Sequence, residues 1–131
     1  MNHQDKIRKI FIAAGGTGGH VFPALRTAAE FRKQGHRVFF IGVFKGSRET
    51  IRQEGYPVID LFARGFVSGG VWILGAAFVS LIKSFVKAWS ALKQENPDVI
   101  LGFGAYAAFP SVMAAVLQGY PTVIHEQNVR P

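Results

Sequence analysis

Ile10-Phe11-Ile12-Ala13-Ala14-Gly15-Gly16-Thr17-Gly18-Gly19-His20 is the stretch on which the reading of this chain turns. Its first half is short, apolar and partly β-branched or aromatic, as a buried strand is. Its second half is a glycine turn, and Val21 to Phe31 then reads as a helix. A strand that turns through Gly15, Gly16, Gly18 and Gly19 into a helix leaves bare backbone N–H groups at a helix N-terminus. The peptide dipoles there favour an anion, phosphate above all. They also oppose added positive charge on His20, and a neutral imidazole accepts a proton, which makes His20 a candidate general base. The plainer alternative is that the glycines only let strand and helix pack closely and that His20 caps the helix.

Working outward, Gln34-Gly35 ends the helix and Arg37 to Ile41 reads as a second strand closed by Gly42. Ser47 is placed to cap a short helix through Gln53. Gly55-Tyr56-Pro57 then breaks the chain before a third strand, Val58 to Leu61. Gly65 to Gly70 is loop. The longest helix runs from Val71 to Gln94 and is stopped by Asn96-Pro97. Asp98 to Leu101 is a fourth strand, opening into Gly102-Phe103-Gly104-Ala105-Tyr106. Phe109 to Gln118 is a fourth helix, broken by Gly119-Tyr120-Pro121. Thr122 to Ile124 is a fifth strand, followed by His125-Glu126-Gln127-Asn128.

Strands alternating with helices predict an α/β fold, a Rossmann-like parallel sheet with helices on both faces, in the order 3-2-1-4-5. Ligands of such sheets bind outside the carboxyl ends of the strands, where the chain direction switches. Both glycine loops and the last strand end fall there, which gathers His20, Tyr106, Glu126 and Asn128 around one crevice. A nicotinamide dinucleotide site does not fit: Val21 stands where the third glycine of G-x-G-x-x-G is required, and Ile41-Gly42-Val43-Phe44 has no carboxylate to hold the ribose. A Walker loop is missing as well.

The 131 residues suit one domain. Fifteen Lys and Arg against eight Asp and Glu give a formal charge of +7, which attracts phosphates, nucleic acid or an anionic membrane without choosing among them. There is no cysteine, hence no disulfide framework or thiolate chemistry, and no paired Cys/His pattern for a metal. The polar N-terminus lacks the apolar core of a signal peptide.

In the long helix Leu74, Phe78, Leu81, Phe85, Trp89 and Leu92 recur at three- or four-residue spacing and read as a core-facing stripe, with Ser80, Lys83, Lys87 and Ser90 on the other side. Its start, Val71-Trp72-Ile73-Leu74, is apolar all round, too short a run to span a bilayer. Trp72, Ile73 and Leu74 beside lysines suit an interfacial membrane contact, or an interface with a protein partner.

Three segments in combination, Gly15 to His20 followed by Phe22-Pro23-Ala24-Leu25, then Pro97-Asp98-Val99-Ile100-Leu101-Gly102, then His125 to Asn128, resemble the N-terminal domain of the MurG family of peptidoglycan glycosyltransferases. The similarity runs from Lys9 to Asn128. It implies the N-terminal half of a two-domain GT-B enzyme that transfers N-acetylglucosamine from UDP-N-acetylglucosamine to a polyprenyl-diphosphate-linked muramoyl-pentapeptide, with inversion and without a cofactor or nucleic acid, peripheral to the cytoplasmic face of the cell membrane. By position His20 resembles the family's base. Thr17, Gly18, Gly19 and Asn128 match positions associated with the donor, and Gly15, Gly16, Gly102, Gly104, Tyr106 and Glu126 belong to the loops around the substrates. Trp72, Ile73 and Leu74 match the membrane-associating patch.

The chain departs from the family in having Ala105 where a second glycine is usual and Ala107 where polar residues are common. Glu49 falls one position later than the usual glutamate of the second-strand loop. The donor-binding second domain is expected as a further domain or a separate subunit. Two other readings fit the same residues: the acceptor subunit of a split two-chain transferase, and a non-catalytic module for polyprenyl diphosphate or anionic lipid.

Overall fold

A computed structural model describes residues 6–15, 18–61, 70–104 and 108–125. In chain order they form β1 (Lys9–Gly15), α1 (Gly18–Lys33), β2 (Arg37–Val43), α2 (Arg48–Gln53), β3 (Val58–Asp60), α3 (Val71–Glu95), β4 (Val99–Phe103), α4 (Phe109–Leu117) and β5 (Thr122–His125). All four strand pairings are parallel, and the sheet order is β3-β2-β1-β4-β5. This is the Rossmann-like order expected from the alternation of elements.

A parallel sheet covered on both faces needs a central strand that is apolar on both sides. β1 meets this need: Ile10 through Gly15 are all buried. Its alternate side chains feed two cores. Ile10, Ile12 and Ala14 pack with Phe40 of β2, Ala24 and Ala28 of α1 and Ile51 of α2. Phe11 and Ala13 pack with Ile41, Ile100, Ala88 and Leu92 of α3, and Ala114 and Ala115 of α4. Two helices therefore cover each face.

The amino end of the sheet is tied by polar contacts. The backbone N–H of Lys9 donates to the Asp98 carboxylate at 2.7 Å, and its ammonium donates to the carbonyl and carboxylate of Glu95 at 2.8 and 3.0 Å. Asn96, in the left-handed region at φ 46°, caps α3 and donates its N–H to the Leu92 carbonyl.

Several boundaries differ from the sequence reading. α1 begins at Gly18, which puts His20 in its first turn. β2 continues through Gly42 to Val43, because a glycine there lets β1 lie close alongside. β4 runs two residues past Leu101, to Phe103, and His125 closes β5.

The core stripe of α3 needs correction. Of the six residues expected to face the core, Leu92 is fully buried and Leu81, Phe85 and Trp89 are half-buried, whereas Leu74 and Phe78 are 66% and 63% exposed. The buried side chains of the helix are Ser84, Ala88 and Leu92. The reason is length. A helix of 25 residues extends about 38 Å, and a seven-residue strand spans about 23 Å. With its carboxyl end held at Lys9, α3 runs past the opposite edge of the sheet, and that overhang is its apolar first half.

Candidate active site at the carboxyl edge of the sheet

The carboxyl ends of β1, β4 and β5 meet at one edge. Gly15 ends β1 and is buried. Gly18, Gly19 and His20 form the first turn of α1. Five of the candidate residues from the sequence, Gly16, Thr17, Tyr106, Glu126 and Asn128, lie outside the described residues, as does Ala105.

His20 meets the loop that leaves β4. A Cβ built on Gly104 would lie 3.3 Å from His20 Nδ1, 3.4 Å from its Cε1 and 4.0 Å from the carbonyl oxygen of His125. Gly104 itself has φ +45°, a conformation open to glycine and costly for most other residues. The ring of His20 is half-buried, and its Nδ1 is enclosed with no hydrogen-bond partner among the described residues. A buried, unpaired ring nitrogen is unfavourable unless a further group completes it, and such exceptions concentrate at functional sites.

Gly102 plays a different part from Gly104. It lies inside β4, buried, and a Cβ there would meet Val112 Cγ2 of α4 at 3.0 Å. Its missing side chain admits α4 onto the sheet, one step back from the open edge. The second glycine loop thus divides into a packing glycine and a glycine under the histidine.

On the α1 side of this edge, a cavity of about 240 Å³ is lined by Pro23, Thr27, Leu101, Phe103, Val123 and His125. The Phe103 and His125 rings lean together with centroids 5.3 Å apart. The Thr27 hydroxyl is already engaged, donating to the Pro23 carbonyl at 3.0 Å, so the cavity is chiefly apolar. Among the described residues no group of three His, Cys, Asp or Glu is placed to hold a metal ion.

The overhanging part of α3 emerges at the same edge, because α3 runs antiparallel to the strands. Trp72 is 91% exposed, Val71, Leu74, Phe78, Val79, Ile82 and Val86 are exposed as well, and Ile73 is half-buried. The stripe is longer than the Trp72 to Leu74 patch read from the sequence. Periodicity had marked Leu74 and Phe78 as apolar on one side, but it carries no information on whether anything lies opposite. By length and composition α3 could cross a membrane, yet Ser84, Ala88 and Leu92 bind its second half into the core. The exposed stripe from Val71 to Val86 is the part free to meet an apolar phase.

The sequence brings both glycine loops to one crevice but does not single out Gly104 as the residue beside His20; the adjacency of β1 and β4 does. The pairing of Ala13 with Gly102 sets the two loops side by side, and that register follows from the sheet order.

Comparison with known proteins agrees with this architecture. Residues 10–131 match the glycosyltransferase family 28 N-terminal domain. The UDP-N-acetylglucosamine--N-acetylmuramyl-(pentapeptide) pyrophosphoryl-undecaprenol N-acetylglucosamine transferase of Lawsonia intracellularis is 45% identical over 124 residues, covering 94% of this chain and 34% of that protein. The crystal structure of MurG from Acinetobacter baumannii superposes with a TM-score of 0.75 at 31% identity, over 92% of this chain and 34% of that one. That of CalG4, the calicheamicin glycosyltransferase, superposes with a TM-score of 0.67 at 20% identity, over 91% of this chain and 32% of that one, a likeness of fold alone. The chain spans about a third of the length of the relatives it matches. With the matched residues and the parallel sheet in agreement, the chain belongs to the glycosyltransferase family 28 N-terminal domains and has the Rossmann-like fold of the N-terminal half of a GT-B glycosyltransferase.

Proposed function

We propose that these residues form one domain, the acceptor-binding and membrane-facing half of an inverting transferase that moves N-acetylglucosamine from UDP-N-acetylglucosamine to a polyprenyl-diphosphate-linked muramoyl-pentapeptide in peptidoglycan synthesis. The observation that carries this reading is the shared edge: the bare apolar start of α3 and the half-buried His20 both lie at the carboxyl edge of the sheet, on its two opposite faces. A lipid-linked acceptor has its tail in the membrane and its reacting sugar one diphosphate away, so an interfacial helix beside a catalytic edge suits both ends of it. Trp72, Leu74 and Phe78 would seat in the interface at the cytoplasmic face, and the net charge of +7 favours anionic lipid.

In the reaction, His20 takes the proton from the acceptor hydroxyl as its oxygen attacks the anomeric carbon. The bond from that carbon to the UDP oxygen breaks, the electron pair leaves with UDP, and the new bond forms on the opposite face of the sugar. The N–H groups of Gly18 and Gly19 in the first turn of α1 hold the acceptor diphosphate, as helix N-termini hold anions. The donor nucleotide is held chiefly by a second domain or subunit, and this chain by itself does not turn over.

The test is His20→Ala in the complete enzyme that carries this domain. Transfer falls by about 10²- to 10⁴-fold, the range for a positioned general base, with circular dichroism and melting unchanged. Turnover close to wild type removes His20 from that role.

A further inference from the structure

The reading above gives Gly104 to the substrate loops. The geometry points to another role: we propose that Gly104 is a positioning residue for His20, its missing side chain leaving the space that the Nδ1–Cε1 edge of the imidazole faces. This inference rests on the proposed catalytic role of His20 for its consequence in turnover, though not for the contact itself.

Three observations support it. The space a Cβ would occupy at Gly104 is bounded by His20 Nδ1 at 3.3 Å and Cε1 at 3.4 Å, so even one methyl group obliges the ring to give way. Gly104 holds φ +45°, which fixes the direction in which the loop leaves β4. Nδ1 is enclosed, so Nε2 is the nitrogen left to meet a substrate hydroxyl. Other left-handed glycines differ: at Gly35, Gly46 and Gly119 a Cβ would meet nothing within 4 Å. Those positions need glycine for the turn alone, whereas Gly104 needs it for the turn and for the ring.

A contact that orients a base acts on the chemical step, because small misplacements of reacting groups are magnified in rate. Contact with the acceptor diphosphate would act on acceptor affinity instead. Gly104→Ala in the complete enzyme is therefore expected to lower kcat about tenfold while the acceptor KM stays within about twofold. A raised KM with kcat intact would overturn the proposal and return Gly104 to ligand contact.

The contact is tested independently in the 131-residue chain with labelled histidine. Gly104→Ala should shift the ring nitrogen and Cε1 resonances of His20 and change its tautomer balance. Gly119→Ala, which carries a similar backbone cost in open space, should leave them in place. Unmoved His20 resonances in folded Gly104→Ala would overturn the proposal. Should Gly104→Ala fail to fold, stability is compared in the pairs wild type/Gly104→Ala and His20→Ala/His20→Ala,Gly104→Ala: a smaller loss in the second pair supports the contact, and an equal loss in both would overturn it. If His20→Ala leaves turnover intact, the catalytic reading falls while the resonance comparison still decides the contact.

Discussion

A Cβ added to Gly42 would fall 1.8 Å from the carbonyl oxygen of Ala14. The two residues are register partners in β2 and β1, one step before β1 opens into the glycine turn. Gly42 also holds φ +152°, and its carbonyl accepts the N–H of Leu61 at 2.8 Å. The clash is with backbone, which cannot turn aside as a side chain does. Gly42→Ala should destabilise the chain by about 3 kcal/mol or more, the upper range for overpacking a buried position. Urea unfolding measures it, and a loss under about 1 kcal/mol would mean that the two strands separate easily here.

The alternation of apolar runs and breakers was enough for the strand order, because a parallel sheet with crossovers leaves few arrangements. It was also enough to bring His20 to a strand edge, since a glycine turn between strand and helix has one place in such a sheet. What the sequence did not carry were relations between segments. Gly42 looked like a strand end because glycine usually is one, and only its neighbour Ala14 explains it inside β2. Leu74 and Phe78 looked like core because apolar periodicity marks a face and is silent about what lies across from it. Gly102 and Gly104 looked alike, and only α4 behind one and His20 above the other distinguish them.

Trp72→Ser combined with Phe78→Ser should weaken sedimentation of the chain with anionic liposomes about tenfold or more, as removal of two large exposed apolar groups from an interfacial helix would. Neither residue belongs to the core, so melting temperature should hold. Loss of stability without loss of liposome binding would assign the stripe to contacts within the protein.

Burial in the core beside Phe40 raises the pKa of the Tyr56 phenol above its ordinary value, with Arg32 opposing and Glu54 adding to the shift. The neutral form is favoured in the folded state, so the associated stability is complete below the unfolded pKa of about 10 and is lost as pH rises beyond it. The hydroxyl is buried without a partner among the described residues. Tyr56→Phe should therefore leave stability at pH 7 equal or slightly higher, and flatten its fall above about pH 10. An unchanged alkaline slope in denaturant titrations would place the responsible group elsewhere.

Asp98 accepts the Lys9 N–H at 2.7 Å and lies 4.0 Å from the Arg8 guanidinium. Asp98→Ala leaves that N–H without its carboxylate and should lower unfolding free energy by about 1–2 kcal/mol. The amino end of the sheet is far from His20, so ligand-induced shifts at the glycine turn should survive the substitution. Their disappearance would show that the two ends of the sheet are coupled.

The place of β1 at the centre of the sheet has a consequence for synthesis on the ribosome. Lys9 and Asp98 are 89 residues apart, and at 5–20 residues per second the second follows the first by about 4–18 s. Once β2 has been made, and until β4 follows, β1, apolar on both faces, has β2 on one side and nothing on the other. The strand that organises the finished domain is for those seconds its most adhesive segment, and slowing translation before β4 should raise the demand for a chaperone.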